Sequence, residues 1–513
     1  MKHLPGRTLK IVGLTLIMIL VVGGSVLYVA ARRSVIPDGI NMSSDMNGMD
    51  MSNIAMTTPS ANSISLTALV AGESDAPVKT FTLTTQTAKI DIGNGKTVDA
   101  YTYNGTLPGS EIRVQQGDMV VVNLVNKLPV STTIHWHGIS VPNAEDGVAG
   151  LTQDAVQPGK SYTYRFIAKD VGTYWYHSHQ DTLEQLPLGL YGAIIVEPKV
   201  EAVHYDHDYT VALHEWRDSG DCAQDCPEVL MMNDRIDHVS FAAKAGESIH
   251  LRIIAAGDEF HYPVLVGAPF KVIALDGHDL NAPTELNNVE LPIGTAQRYD
   301  LSFVMPEHGN VTLIDGANRA VPGNQHPTAV FGDGQPNVTY PDNLPLFDFS
   351  TYGTPTADPI TLDSHFNVQF SMELSSQLGF YNGHFTMTFP INNQTYPNIP
   401  SIKVNQGDLV KIHVSNNAGV GFPIPHAMHL HGHFFTVLAH NGKPLSGSPV
   451  HLDTLIVSSG ESYDVAFLAD NPGLWMLHCH ILAHDAQGMD MMLEYPNIYT
   501  PYTIGTASGN NPF

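Results

Sequence analysis

One pattern recurs three times along this chain and divides it before composition is considered. Asn104-Gly105 is followed, 13 residues after the Asn, by Gly117-Asp118. Asn233-Asp234 leads over 13 residues to Gly246-Glu247, and Asn392-Asn393 over 15 to Gly407-Asp408. A second motif trails each copy: Gly159-Lys160-Ser161-Tyr162, Gly294 to Tyr299, and Gly460-Glu461-Ser462-Tyr463. Between them run short alternating or β-branched stretches, such as Ile112-Arg113-Val114 and Met119 to Val125, broken by Gly, Pro and Asn. Helical periodicity is scarce, so the pattern predicts antiparallel all-β sandwiches or barrels. Repetition on this scale means homologous units, and we expect three, at 78–200, 201–350 and 351–513. A length of 513 residues agrees with about three domains.

Residues Ile11 to Ala31 form an apolar run of 21, flanked by Lys2, Arg7, Lys10, Arg32 and Arg33. That length spans a bilayer as a helix, and Tyr28-Val29-Ala30-Ala31 makes a poor cleavage site. Residues 1–36 are therefore expected to be a retained transmembrane anchor, with a cleaved signal segment as the alternative. Either way the rest of the chain is exported, to the periplasm or cell surface if anchored, or secreted if cleaved. Residues 37–77 contain Met42, Met46, Met49, Met51 and Met56 with few other large apolar side chains; such a segment reads as a flexible tether. Thioethers suit Cu(I), so copper capture by this tether is a second reading.

The formal net charge is -26 with only 14% charged residues, which excludes nucleic acid as a partner, because phosphate binding needs a basic face. Cysteines number three. Cys222 and Cys226 are expected to close a small disulfide loop in an oxidising compartment. The third, Cys479, stands among histidines.

Five His-x-His pairs occur: His135/His137, His177/His179, His429/His431, His431/His433 and His478/His480. Random placement of 26 histidines would give about one. In a strand, positions i and i+2 share a face, so each pair aims two imidazoles the same way. In the first and third copies such a pair falls 18 residues after the trailing motif's Gly, at His177-Ser178-His179 and His478-Cys479-His480. The middle copy, after Gly309, reads Asn310 to Asp315 without a ligand, and is expected to be a spacer. His478-Cys479-His480, followed by His484 and Met489, combines a thiolate, imidazoles and a weak thioether, the ligand set of a blue-copper electron-transfer site.

These motifs and their order resemble the multicopper oxidases, the family of laccases, bacterial cuprous oxidases and bilirubin oxidases. The resemblance covers nearly everything after the apolar run. It implies three cupredoxin-like Greek-key β-sandwich domains and four copper ions: one type 1, one type 2 and two type 3. Carried onto this sequence, the type 1 copper takes His426, Cys479, His484 and axial Met489. The type 2 copper takes His135 and His429, and the type 3 pair takes His137, His177, His179, His431, His478 and His480. The chemistry implied is one-electron oxidation of a donor at type 1, electron passage through Cys479 to its neighbours His478 and His480, and reduction of O₂ to water at a trinuclear cluster. Asp146 is similar in position to the acidic residue that delivers protons in the family. Bacterial members often carry a Glu immediately before the second type 1 histidine; here Ala483 stands there, which leaves the second proton route open.

Because the axial ligand tunes the potential, Met489 points to easily oxidised donors: phenols, aromatic amines or Cu(I). Family cuprous oxidases place a methionine-rich insertion over the type 1 site, whereas residues 361–400 hold only Met372 and Met387. A laccase-like activity on phenolic donors is therefore expected, with cuprous oxidation in copper detoxification as the alternative. A non-enzymatic copper binder would not need a complete histidine set. His204, His207, His214, His261 and His384 are expected to be surface or core-edge imidazoles, and Trp136 and Trp175 to pack around the ligand strands.

Overall fold

The structure is a computed structural model and describes residues 6–42, 62–217, 228–317, 326–333, 340, 341, 343–417 and 424–513. Strands dominate, and each repeat forms two sheets facing one another. In the first, Lys96–Tyr103, Val78–Gly93, Met119–Asn126 and Ser161–Ile167 make one sheet in that order, and Gly109–Gln115, Tyr191–Glu197, Gly172–His177 and His135–His137 make the other. The second repeat pairs a six-stranded with a four-stranded sheet, and the third a six-stranded with a five-stranded one.

The repeated motif has one structural role in all three places. Asn104, Asn233 and Asn392 take positive φ of 59°, 43° and 51°, a region Asn tolerates better than most side chains. Each uses its amide as a clasp across the sheet edge. Asn104 Oδ1 accepts from Thr84 N and its Nδ2 donates to Thr82 O; Asn233 does so with Ala212 N and Thr210 O, and Asn392 with Glu373 N and Ser371 O. The acidic residue after the glycine closes the following turn, where Asp118, Glu247 and Asp408 accept from the backbone N–H three residues earlier, at Gln115, Lys244 and Asn405. The strand held by each Asn then pairs in parallel with the strand after that turn: Val78–Gly93 with Met119–Asn126, His207–Arg217 with Ser248–Ala255, and Val368–Leu374 with Leu409–Asn416.

Alternation along these strands fills the cores. Val120, Val122 and Leu124 point inward against Ile112, Ile194 and Tyr164 in the first repeat. The second and third repeats share one continuous apolar cluster. Each fully buried Val, Leu or Ile contributes about 1.5–3 kcal/mol. The first two repeats also meet through a charged network in which Asp208 accepts from Arg113 and Arg252, and Asp300 accepts from Arg252 and Thr173.

At the N-terminal end a helix covers Gly6–Arg33. Its side chains at 6–13, 16 and 19 lie outside the described residues, and among the described ones no helix is long and apolar enough to cross a membrane. Leu14, Ile17, Leu20, Val21 and Val26 on this helix are all exposed. The tether expected at 37–77 is docked at both ends: Ile40 and Met42 are buried beside Leu66, Leu151 and Ile504, and Ile64–Ser65 pairs in parallel with Ile498–Tyr499. Packing by Ile40, Met42 and Leu66 supplies the apolar burial that composition alone did not suggest. Met46, Met49, Met51 and Met56, and also Cys222 and Cys226, lie outside the described residues.

Candidate metal centres

In the third repeat the strand His426–Leu430 lies antiparallel to Leu474–Cys479, with Met428 opposite Cys479 and His429 opposite His478. A short helix, Leu482–Ala486, then returns His484 toward that strand. The ligand atoms of His426, Cys479 and His484 all fall within 4.8 Å of one another and are buried. His484 Nδ1 is 3.2 Å from His426 Nδ1 and 3.5 Å from Cys479 Sγ, and Ala427 N donates to the sulfur at 3.4 Å. Met489 is buried in the same apolar cluster as Cys479, and its carbonyl accepts from Cys479 N. Phe389 stacks on His484 with ring centres 3.8 Å apart. Burial pushes the Cys479 thiol up to about 12 and His426 down to about 4. A neutral imidazole is a ready ligand, and a buried thiol becomes a thiolate when a cation takes the proton's place.

The second assembly forms where the first and third repeats meet. In the first, His135–His137 runs antiparallel to Gly172–His177, with His135 opposite His177. The third repeat faces it, so that His137 stacks on His429 at 3.8 Å and His135 on His431 at 4.0 Å. Four buried groups of converging ligand atoms result: His135, His137 and His429; His137, His177 and His480; His179, His431 and His478; and His135, Asp146 and His431.

The outer ring nitrogens are engaged. His135 Nδ1 donates to Asp146 O at 2.8 Å, His431 Nδ1 to Asp146 Oδ2 at 2.9 Å, and His137 Nε2 to Asp453 Oδ1 at 3.0 Å. His177, His179 and His429 donate through Nδ1 to the carbonyls of Ser178, Pro512 and Asp453. His480 Nδ1 is 3.3 Å from Thr295 Oγ1. Such partners fix the tautomer and the ring orientation of a metal-bound histidine. The opposite nitrogens, Nε2 of His135, His177, His179 and His429 and Nδ1 of His137, are buried with no hydrogen-bond partner among the described residues, while His431 Nε2 and His478 Nε2 face each other at 3.1 Å. Burial and neighbouring imidazoles hold His137, His177, His179, His431 and His480 well below the usual histidine range. Neutral, preoriented lone pairs left without donors cost free energy that a bound cation removes, so the donor set fits copper.

The middle repeat is more than the expected spacer. Among the described residues it adds no converging ligand group, yet it builds the floor of the cluster. Arg298 donates to both oxygens of Asp453 at 2.8 and 2.5 Å, Asp276 accepts from Asp453 N and Thr454 N, and Gln297 donates to Thr454 O. Burial would raise the Asp453 carboxyl, but Arg298 holds it well below the usual range. Gly138 is required beside this pair, since a Cβ there would collide with Arg298 and Asp453.

One expectation needs correction. His214 and His261 are fully buried, not at the surface or core edge; His261 lies between Asp315 Oδ2 at 2.7 Å and Glu215 Oε1 at 2.6 Å, carboxylates distant in sequence that no local pattern ties to it. With Ala483 before His484, an acid follows that histidine instead. Asp485 is buried, with Oδ2 3.3 Å from His478 Nδ1, and the sequence signal was its place one residue past His484. Trp136 and Trp175 are buried among the ligand strands.

Residues 84–201 and 369–497 match family models described as multicopper oxidase. A 465-residue alignment with the multicopper oxidase MmcO of Mycobacterium tuberculosis is 30% identical and covers 81% of this chain and 87% of that protein. The chain belongs to the multicopper oxidase family. Laccase-1 of Botryotinia fuckeliana is 28% identical over 79% of this chain and 80% of its own. The structure of Fet3p, a multicopper oxidase that functions in iron import, superposes with TM-score 0.70 at 22% identity over 82% of this chain and 91% of that one, a likeness of fold alone. This multicopper oxidase is thus a copper-dependent oxidoreductase with cupredoxin-like β-sandwich domains, and it uses O₂ with organic or metal-ion donors as its family does.

Proposed function

We propose that this multicopper oxidase is laccase-like and passes electrons from small phenolic or aromatic amine donors to O₂. The observation that carries the reading is the completeness of the histidine set. Ten imidazoles and one thiol converge in two adjoining buried assemblies, and the unpartnered inner nitrogens all belong to one of them. His426, Cys479, His484 and Met489 are read as the type 1 ligands, His135 and His429 as type 2, and His137, His177, His179, His431, His478 and His480 as type 3. Copper, when bound, supplies one-electron redox steps and the site for O₂. The chain supplies the rest. Cys479 links the two assemblies covalently, since its neighbours His478 and His480 both belong to the second. Asp146 orients His135 and His431 and is the acid nearest to them, and Asp485 Oδ2 lies 3.3 Å from His478 Nδ1.

The aromatic cover of His484 by Phe389, in place of methionines, favours organic donors over Cu(I). The apolar helix Gly6–Arg33, exposed at Leu14, Ile17, Leu20, Val21 and Val26, is read as a membrane anchor that places the three domains, 78–200, 201–350 and 351–513, outside the cytoplasm. The deciding experiment is oxygen uptake by the copper-loaded protein, given a methoxyphenol without free copper and then Cu(I) alone. Uptake with the phenol supports the laccase-like reading; uptake with Cu(I) only makes the protein a cuprous oxidase.

A further inference from the structure

Between the first and second repeats lies a cavity of about 190 Å³ that none of the ligand groups occupies. Its walls come from alternate positions of neighbouring strands, since residues two apart share a face. Ala193 on Tyr191–Glu197 and Ala212 on His207–Arg217 face it, with Ile254 and Ala256 at the end of Ser248–Ala255. Ala193, Ala212 and Ala256 are all buried. Small side chains at three facing core positions leave a gap that larger apolar residues would fill, and unfilled core volume forfeits dispersion contacts.

One wall is Trp175. Its ring also covers the histidine cluster, with centroids 4.4 Å from His177, 5.0 Å from His137 and 5.5 Å from His480. The indole Nε1 is buried and has no hydrogen-bond partner among the described residues. The ring is therefore held by packing alone and can tilt without breaking a polar contact.

We propose that this cavity is a dioxygen-binding chamber, and that Trp175 is the gate between it and the cluster. The inference rests on reading the imidazole assembly as the centre that reduces O₂. Glu111, Thr210 and Asn233 also line the cavity, so it is not wholly apolar, but Ala193, Ala212, Ile254, Ala256 and the Trp175 ring give it an apolar part. Apolar cavities of about 150 Å³ hold xenon or benzene, and dioxygen is likewise small, apolar and without strong hydrogen bonds to lose. Trp175 is a positioning residue here: it controls access and touches the ligands, and no proton or electron is assigned to it.

The test fills the chamber from the far side. Ala212→Leu and Ala256→Val are expected to raise KM for O₂ several-fold. The donor KM, the kcat at saturating O₂ and the blue absorption should all stay as in the parent. An unchanged KM for O₂ in a folded, filled variant overturns the proposal, as does a shift in donor KM alone, which would make the cavity a donor pocket. Xenon-pressurised crystals of the unaltered, copper-loaded protein give a reading that needs neither variant nor turnover. A xenon atom against Trp175 is expected, and an empty cavity contradicts the chamber. Xenon bound there in a protein that consumes no O₂ would instead sink the cluster reading, and with it the role of the gas.

Discussion

Arg298 grips both carboxylate oxygens of Asp453, and neither side chain reaches solvent. The pair joins the middle repeat to the third, and Asp453 in turn holds His137 of the first. Breaking a buried ion pair from one side leaves an uncompensated charge and costs about 3–5 kcal/mol. Arg298→Met should therefore lower stability by that order and reduce the copper held by the histidine cluster, read by chemical denaturation and by metal content. A variant as stable and as fully loaded as the parent would show that the pair is dispensable.

Asp146 and Asp485 approach different cluster histidines, His431 and His478, so their removal should act at one stage only. A positioned acid contributes on the order of 10²–10⁴-fold to a proton-transfer step. Asp146→Asn and Asp485→Asn should each slow turnover while the blue absorption persists. Loss of the blue band with either change would mean that the carboxylate supports the thiolate site instead.

Met489 lies in the same buried cluster as Cys479, and an axial thioether lowers the potential relative to a non-ligating side chain. Met489→Leu should raise the type 1 potential in a redox titration. A lower potential would remove Met489 from the axial position.

His261 gives a pH signature away from the copper sites. Burial alone would depress its pKa, but Asp315 and Glu215 outweigh burial and push it up to about 10, above the ordinary 6.5. Its stabilisation is thus complete below pH 6.5 and is lost as pH rises through 10. Thermal melts from pH 7 to 10.5 should show a falling midpoint, flattened in His261→Gln, whose own midpoint is lower at pH 7. Equal slopes in the two proteins would contradict the clamp.

Most of the architecture was legible because it is written locally. The Asn at positive φ and the acidic residue that closes the next turn are short-range devices, and they recur at the spacing that marks each repeat. The histidine pairs were legible because a strand converts i and i+2 into one direction. What escaped was long-range. Nothing near Arg298 or Asp276 announces a partner at Asp453, 155 and 177 residues away, and nothing near His261 announces Glu215 and Asp315. The docking of Ile40 and Met42 was hidden in the same way, since their partners Ile504, Tyr396 and Met492 lie at the opposite end of the chain. Such contacts join segments far apart in the chain, some between repeats and some, as at His261, within one, which no periodicity reports.

In the proposed function, one thiolate site and a separate histidine cluster work as a unit joined through Cys479. Copper content, visible absorption and oxygen uptake of Cys479→Ser beside the parent test it most directly. The parent should hold four coppers, absorb in the blue-copper band and consume O₂ with a methoxyphenol, whereas Cys479→Ser should hold three, lose the band and consume none. A blue band that survives the change, or a parent that never loads more than one copper, would contradict the account.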